Sequence, residues 1–133
     1  MNKSYKVQEV MIDKNSFPVI NDNEILKTAL DKMNYFGYGI VCMINTENKL
    51  AGIITDGDIR RRLLASQKPL SALFIEDAIK YSIRSPITIS NDTELSDAVN
   101  LMESKKVWDL PVVDQTNHLI GLLHLHNAIK KLL

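Results

Sequence analysis

The feature that most constrains this chain is that it states one pattern twice. Leu26, Ala29, Leu30 and Met33 are answered by Leu95, Ala98, Val99 and Met102, and the offset of 69 (95 − 26 = 69) then holds to the last residue. It aligns Asn45 with Asp114, Asn48 with Asn117, Leu50 with Leu119, Gly52 with Gly121, Asp58 with Asn127 and Leu64 with Leu133. Upstream, Val7, Val10, Met11 and Pro18 match Ile75, Ala78, Ile79 and Pro86 at an offset of 68 (86 − 18 = 68). So many matches with one insertion indicate an internal duplication, with copies over 1–70 and 71–133. A unit that small buries too little surface to be comfortable alone. The copies are therefore expected to pack through their sheets about a pseudo-twofold axis, creating two equivalent clefts.

Within the first copy, residues 7–11 suggest a short helical turn. Residues 17–20 read as a short strand in which Pro18 must begin the strand or face an edge. The polar stretch 21–24 offers helix-start chemistry, and Ile25, Leu26, Ala29, Leu30 and Met33 continue as one apolar face at helical spacing. Gly37 is expected to end that helix in a left-handed conformation. Residues 40–44 form a continuous apolar strand, 45–48 a turn, and 49–55 its hairpin partner. A second helix follows and stops before Pro69. Repeated, this order gives a mixed α/β chain of two β-α-β-β-α units.

The stretch with chemical potential is Gly52-Ile53-Ile54-Thr55-Asp56-Gly57-Asp58-Ile59-Arg60-Arg61-Arg62-Leu63, a strand that becomes a helix. A hydroxyl at Thr55 and a carboxylate at Asp58 stand where backbone N–H groups point outward without helical partners. A ligand carrying a phosphate and a sugar diol would find donors and acceptors together there. The same residues also serve as plain N-caps, which requires no ligand. In the second copy His124 replaces the hydroxyl and Asn127 the carboxylate, an uncharged and weaker diol acceptor, so its cleft is expected to be the poorer one.

Charge and composition exclude other classes. Sixteen basic residues balance sixteen acidic ones, which leaves no broad electrostatic footprint for nucleic acid. No apolar run approaches the roughly 20 residues of a membrane span, and the polar start Met1-Asn2-Lys3-Ser4 has no signal-peptide core. The single cysteine, Cys42, lies in the apolar run 40–44 and reads as a buried reduced thiol, which suits a cytoplasmic protein. His124 and His126 are two apart with no Cys or carboxylate completing a set nearby, so no metal site is expected. There is no P-loop and no paired nucleophile and base, so no catalytic residues are expected. Arg60, Arg61 and Arg62 could grip phosphates, but they point about 100° apart on a helix and cannot all face one ligand; one is expected to reach a partner and the rest to be solvated surface. Trp108 could stack on a base or pack against Met102 or between the repeats. Tyr35, Phe36 and Tyr38 lack interleaved basic residues, which argues for core and dimer contacts over RNA stacking.

Gly52-Ile53-Ile54-Thr55-Asp56-Gly57-Asp58 closing one copy, with Leu110-Pro111-Val112-Val113-Asp114 inside the other, closely resembles the tandem cystathionine β-synthase (CBS) domain, or Bateman module, over essentially the whole chain. Thr55-Asp56-Gly57-Asp58-Ile59-Arg60-Arg61 together with Gly121-Leu122-Leu123-His124-Leu125-His126-Asn127 is most similar to the C-terminal CBS pair of bacterial arabinose-5-phosphate isomerases, which supply the precursor of the sugar acid Kdo. The first motif also resembles CBS pairs attached to bacterial sugar-nucleotide transferases. The resemblance implies a regulatory module without a required cofactor, binding an adenine nucleotide or a CMP-sugar and associating as a homodimer, with an attached or separate enzyme of sugar metabolism as its partner. An assembly module with unused clefts is the alternative.

By motif position the resemblance assigns Thr55 and Asp58 to ribose and phosphate and Ile53 to the base. From the facing copy it brings Ile87, Thr88, Trp108 and Asp109. His126 would reach the phosphate, as a cation only when protonated. Val19, Ile20, His124 and Asn127 would line the weaker second cleft.

Overall fold

A computed structural model describes residues 4–133; residues 1–3, which open the polar start read above, lie outside the described residues. In chain order the elements are β1 (Ile12–Asp13), β2 (Val19–Asn21), α1 (Leu26–Phe36), β3 (Ile40–Ile44), β4 (Leu50–Thr55), α2 (Asp56–Ala65), α3 (Leu70–Phe74), β5 (Ile89–Ser90), α4 (Leu95–Lys105), β6 (Asp109–Val113), β7 (Leu119–His124) and α5 (Leu125–Leu132). Two 3-10 turns, Val7–Glu9 and Ala78–Tyr81, complete the set. The chain is a mixed α/β protein with two sheets and five α-helices among the described residues.

Two units emerge. A central unit spans Asn15–Pro86, and a terminal unit joins residues 4–14 to Ile87–Leu133. The central sheet runs β2-β3-β4, with β2 parallel and β4 antiparallel to β3. The terminal sheet runs β1-β7-β6-β5, with β5 parallel to β6 and the other two pairings antiparallel. Every residue of β3 is buried, as its unbroken apolar run requires. Val41 and Met43 join Ile20, Leu26, Ala29, Met33 and Ile54 in the central core, and Leu95, Ala98, Met102, Leu110, Val112 and Leu123 build the terminal one. Cys42 is buried and forms no disulfide. Gly37 ends α1 at φ 76°, as its missing Cβ permits.

The units do not follow the sequence copies, because the opening segment of each copy packs with the strands and helices of the other. Val7 belongs to the terminal core and Leu73, Ala78 and Tyr81 to the central one. The backbone bonds are parallel in kind: Val7 N donates to Thr93 O and Ala78 N to Glu24 O, each at 2.9 Å. Ile12 pairs with Leu122, and Ile83 with Ile53. These equivalences stand 71 apart (78 − 7 = 71; 83 − 12 = 71), which corrects the offset of 68 read for the openings. From Ile20 and Ile89 onward, matched through Met43 and Val112, the offset of 69 holds.

Two glycines make room for these openings. A Cβ on Gly52 would lie 2.9 Å from Ser82 Oγ and 3.1 Å from the Ile83 carbonyl. One on Gly121 would lie 2.6 Å from Met11 Sδ and 2.9 Å from the Ile12 carbonyl. Local helix-start chemistry matters less than expected. No side chain caps α1; instead Leu26 N donates to Glu76 O at 2.8 Å, and Leu95 N at the start of α4 donates to Tyr5 O at 2.7 Å. Helix α3, which begins after Pro69 and buries Leu73, was not anticipated from the sequence. Tyr35 and Phe36 meet edge to face at 4.9 Å outside the core, so the expected core role does not apply to them.

Candidate ligand-binding site

The central junction is built by β4 passing directly into α2. Thr55 is extended (φ −111°, ψ 163°) and Asp56 opens the helix, its N–H donating to Gly39 O at 3.0 Å. Thr55 and Asp58 then form a reciprocal capping box. Asp58 N donates to Thr55 Oγ1 at 3.3 Å, while Asp58 Oδ2 accepts from Thr55 N at 3.0 Å and from Thr55 Oγ1 at 2.9 Å. Asp58 Oδ1 accepts from Arg61 Nη2 at 2.8 Å. The Asp58 side chain is 14% exposed. Burial alone would push its carboxyl up, but the bonds from Arg61 and Thr55 outweigh it and hold the group below the usual carboxylate range.

A carboxylate has about four lone-pair positions, and three are taken here. The hydroxyl proton of Thr55 is likewise committed to Asp58. The capping role read as an alternative is therefore real, and any diol must compete with Arg61 for Oδ1. Ile53 is buried, with its N–H and carbonyl both bonded to Ile83, so its backbone is already spoken for. Beside the junction lies an open concavity of about 360 Å³, lined by Leu30, Met33, Asn34, Tyr38, Gly39 and Asp56. The sequence reading did not select this lining; Gly39 was its one signal, since a Cβ there would meet Asp56 Oδ2 at 2.7 Å.

The terminal junction has the same backbone and different chemistry. Asp109 stands opposite His124 in the hairpin, as Ile40 stands opposite Thr55. His124 Nδ1 lies 2.7 Å from Asp109 Oδ1, and Leu125 N donates to Trp108 O at 2.8 Å. No side chain caps α5. Asp109 is 11% exposed, and burial pushes its carboxyl up against the lowering effect of His124. Trp108 is 71% exposed, so it does not serve as a core residue. His126 is exposed and Asn127 half-buried. Ile87 and Thr88 precede β5 rather than lie within it.

Val19, Ile20, Ile53, Thr55 and Asp58 thus belong to the central unit, and Ile87, Thr88, Trp108, Asp109, His124, His126 and Asn127 to the terminal one. The sequence assigned Asp109 and His124 to different clefts; the hairpin register brings them together. Val19 O accepts from Lys32 Nζ at 2.8 Å, and Ile20 is buried in the central core. His118 sits in the β6–β7 turn, 3.2 Å from Asp114 Oδ2 and 2.6 Å from Thr116 Oγ1. Among the described residues no three His, Cys, Asp or Glu side chains are grouped to hold a metal, and no helix is long and apolar enough to cross a membrane.

Two sheet-and-helix units that exchange their opening segments, each delivering a strand straight into a helix, define a tandem repeat protein with a pair of matched junctions. The model of the CBS domain matches residues 7–65 and again 75–133, and the chain belongs to that family as a tandem CBS pair. An uncharacterised protein of Chlamydia pneumoniae is 33% identical over 133 residues, covering 98% of this chain and 40% of its own length. A probable arabinose 5-phosphate isomerase of Haemophilus influenzae is 36% identical over 118 residues, covering 89% of this chain and 33% of its own. The chain thus spans well under half of the curated relatives it matches. The crystal structure of CBSX2 in complex with AMP superposes with a TM-score of 0.83 at 25% identity, covering 96% of this chain and 95% of that one.

Proposed function

We propose that this CBS pair is a non-catalytic regulatory module that binds an adenine nucleotide, or alternatively a CMP-sugar, and controls an enzyme of sugar metabolism. The observation that carries the reading is the Thr55–Asp58 box: a hydroxyl and a carboxylate held together at the start of α2, in a family with an AMP-bound member of similar fold. The partner is an attached or separate arabinose-5-phosphate isomerase-like or sugar nucleotidyltransferase enzyme. Support comes from the isomerase relative, whose length extends far beyond the matched region. Ligand binding acts by favouring one arrangement or rigidity of the pair over another, to the extent of its differential affinity.

Thermal unfolding with AMP, ADP, ATP, a CMP-sugar and S-adenosylmethionine tests this. A ligand at 100 times its Kd adds about 2.7 kcal/mol. Asp58→Ala is expected to abolish that gain while the variant still unfolds cooperatively. The second reading, a homodimeric assembly module, is favoured by α2, none of whose residues is buried and whose Leu64 is 82% exposed. A dimer in sedimentation that shows no shift with any of these ligands would select it.

A further inference from the structure

We propose that Arg61 sets the charge preference of the central junction, guarding the Asp58 carboxylate and admitting phosphorylated nucleotides over nucleosides. The inference rests on the nucleotide reading above and adds what discriminates among such ligands. As a bare contact, Arg61 with Asp58 is an i,i+3 ion pair whose arginine side chain is 64% exposed, a type worth little on its own. Two observations give it a specific place.

The first is a seat. A Cβ on Gly57 would lie 3.1 Å from Arg61 Nη1 and 3.4 Å from Nη2, so the guanidinium rests over bare backbone in the first turn of α2. At the positions 69 further on, the terminal unit carries His126 for Gly57, Asn127 for Asp58 and Lys130 for Arg61. Seat, carboxylate and guanidinium are all missing there. The second is the division of labour at Asp58. Oδ2 already takes both Thr55 donors, so Oδ1 is the oxygen on which a diol must chiefly rely, and Arg61 holds it.

A nucleoside that takes Oδ1 leaves the guanidinium at a helix N-terminus, where the dipole disfavours a cation. A nucleotide brings the anion that the displaced guanidinium requires, and a phosphate accepts its paired N–H groups in parallel. The same residue therefore opposes the uncharged ligand and rewards the charged one. Arg60, its neighbour, is exposed and makes no such contact with Asp58.

Calorimetric titration of AMP and adenosine into wild type, Arg61→Gln and Arg60→Gln tests the inference. Wild type is expected to prefer AMP by about tenfold or more. Arg61→Gln should weaken AMP about fivefold and strengthen adenosine about twofold, collapsing the ratio, while Arg60→Gln preserves it. Nucleotide binding with an unchanged ratio in Arg61→Gln overturns the role of Arg61 and leaves the nucleotide site standing. An equal collapse in Arg60→Gln also overturns it, because net charge would then suffice. Failure of all three proteins to bind either compound overturns this inference together with the adenine-nucleotide reading, and leaves the CMP-sugar to the thermal-unfolding test above.

Discussion

The two strand-to-helix junctions share a backbone and differ in almost every polar side chain. Thr55 and His124 end equivalent strands, stand opposite Ile40 and Asp109, and precede amides that donate to Gly39 O and Trp108 O respectively. One junction is closed by a hydroxyl–carboxylate box, the other by an imidazole–carboxylate pair bridging two strands. Helix α5 begins with no side-chain cap at all. The box is therefore not what makes a helix start at this point of the fold. The scaffold does that, and the side chains are left to differentiate the two sites.

If so, damage to the scaffold should exceed removal of any junction side chain. The largest effect is expected for Gly121→Ala, whose Cβ meets the Ile12 carbonyl at 2.9 Å, and the next for Gly52→Ala, at 3.1 Å from the Ile83 carbonyl. Backbone on both sides gives little, so urea unfolding should show losses of about 2–3 and 1–2 kcal/mol. Neutral outcomes would mean the exchanged openings are loosely held. At the side-chain level, His124→Ala strips a nearly buried carboxylate of its partner and should cost about 1–3 kcal/mol at pH 7. Thr55→Ala should cost about 1 kcal/mol, the value of a cap. Equal losses at both junctions in every pair of variants would erase the contrast drawn between them.

The helices that precede β3 and β6 offer a smaller test. Gly37 ends α1 in the left-handed region at no steric cost, but the equivalent residue ending α4 is Lys106, at φ 56°. Lys106→Gly should gain about 0.5–1 kcal/mol in the terminal unit. No gain in the unfolding midpoint would show that Lys106 earns its conformation through contacts of its own.

Much of this was legible in the chain. Strong apolar periods at 26–33 and 95–102, the hairpin turns before Leu50 and Leu119, and Gly37 placed their elements because each is a local preference. What escaped was set by tertiary partners. The openings were read three residues out of register, since a single turn around Val7 or Ala78 offers few apolar anchors, and the two residues missing between Ile83 and Ile89, relative to Ile12 and Ile20, leave no mark. The caps of α1 and α4 come from backbone carbonyls of Glu76 and Tyr5, which no side-chain pattern reveals. The Asp109–His124 pair was within reach, because the hairpin turn fixes the register that sets them opposite; counting across it would have joined them. Arg61 was partly legible: the run Arg60-Arg61-Arg62 offered guanidinium groups for a phosphate and helix spacing excluded all three acting at once, but that Arg61 is the one holding Asp58 is set by the fold.

Acid titration separates the two carboxylates most finely. Asp58 is held below its ordinary value of 3.8, so its ionised form contributes stability above that pH, and the contribution is lost as pH falls through the folded value. Asp109 is raised above 3.8 by burial, so what it contributes is complete at lower pH and is lost as pH rises through its folded value. Measured by urea unfolding between about pH 3 and 6, the stability of wild type relative to Asp58→Asn should grow with pH. Relative to Asp109→Asn it should shrink. Slopes of the same sign would mean that His124 outweighs the burial of Asp109, as Arg61 and Thr55 outweigh that of Asp58.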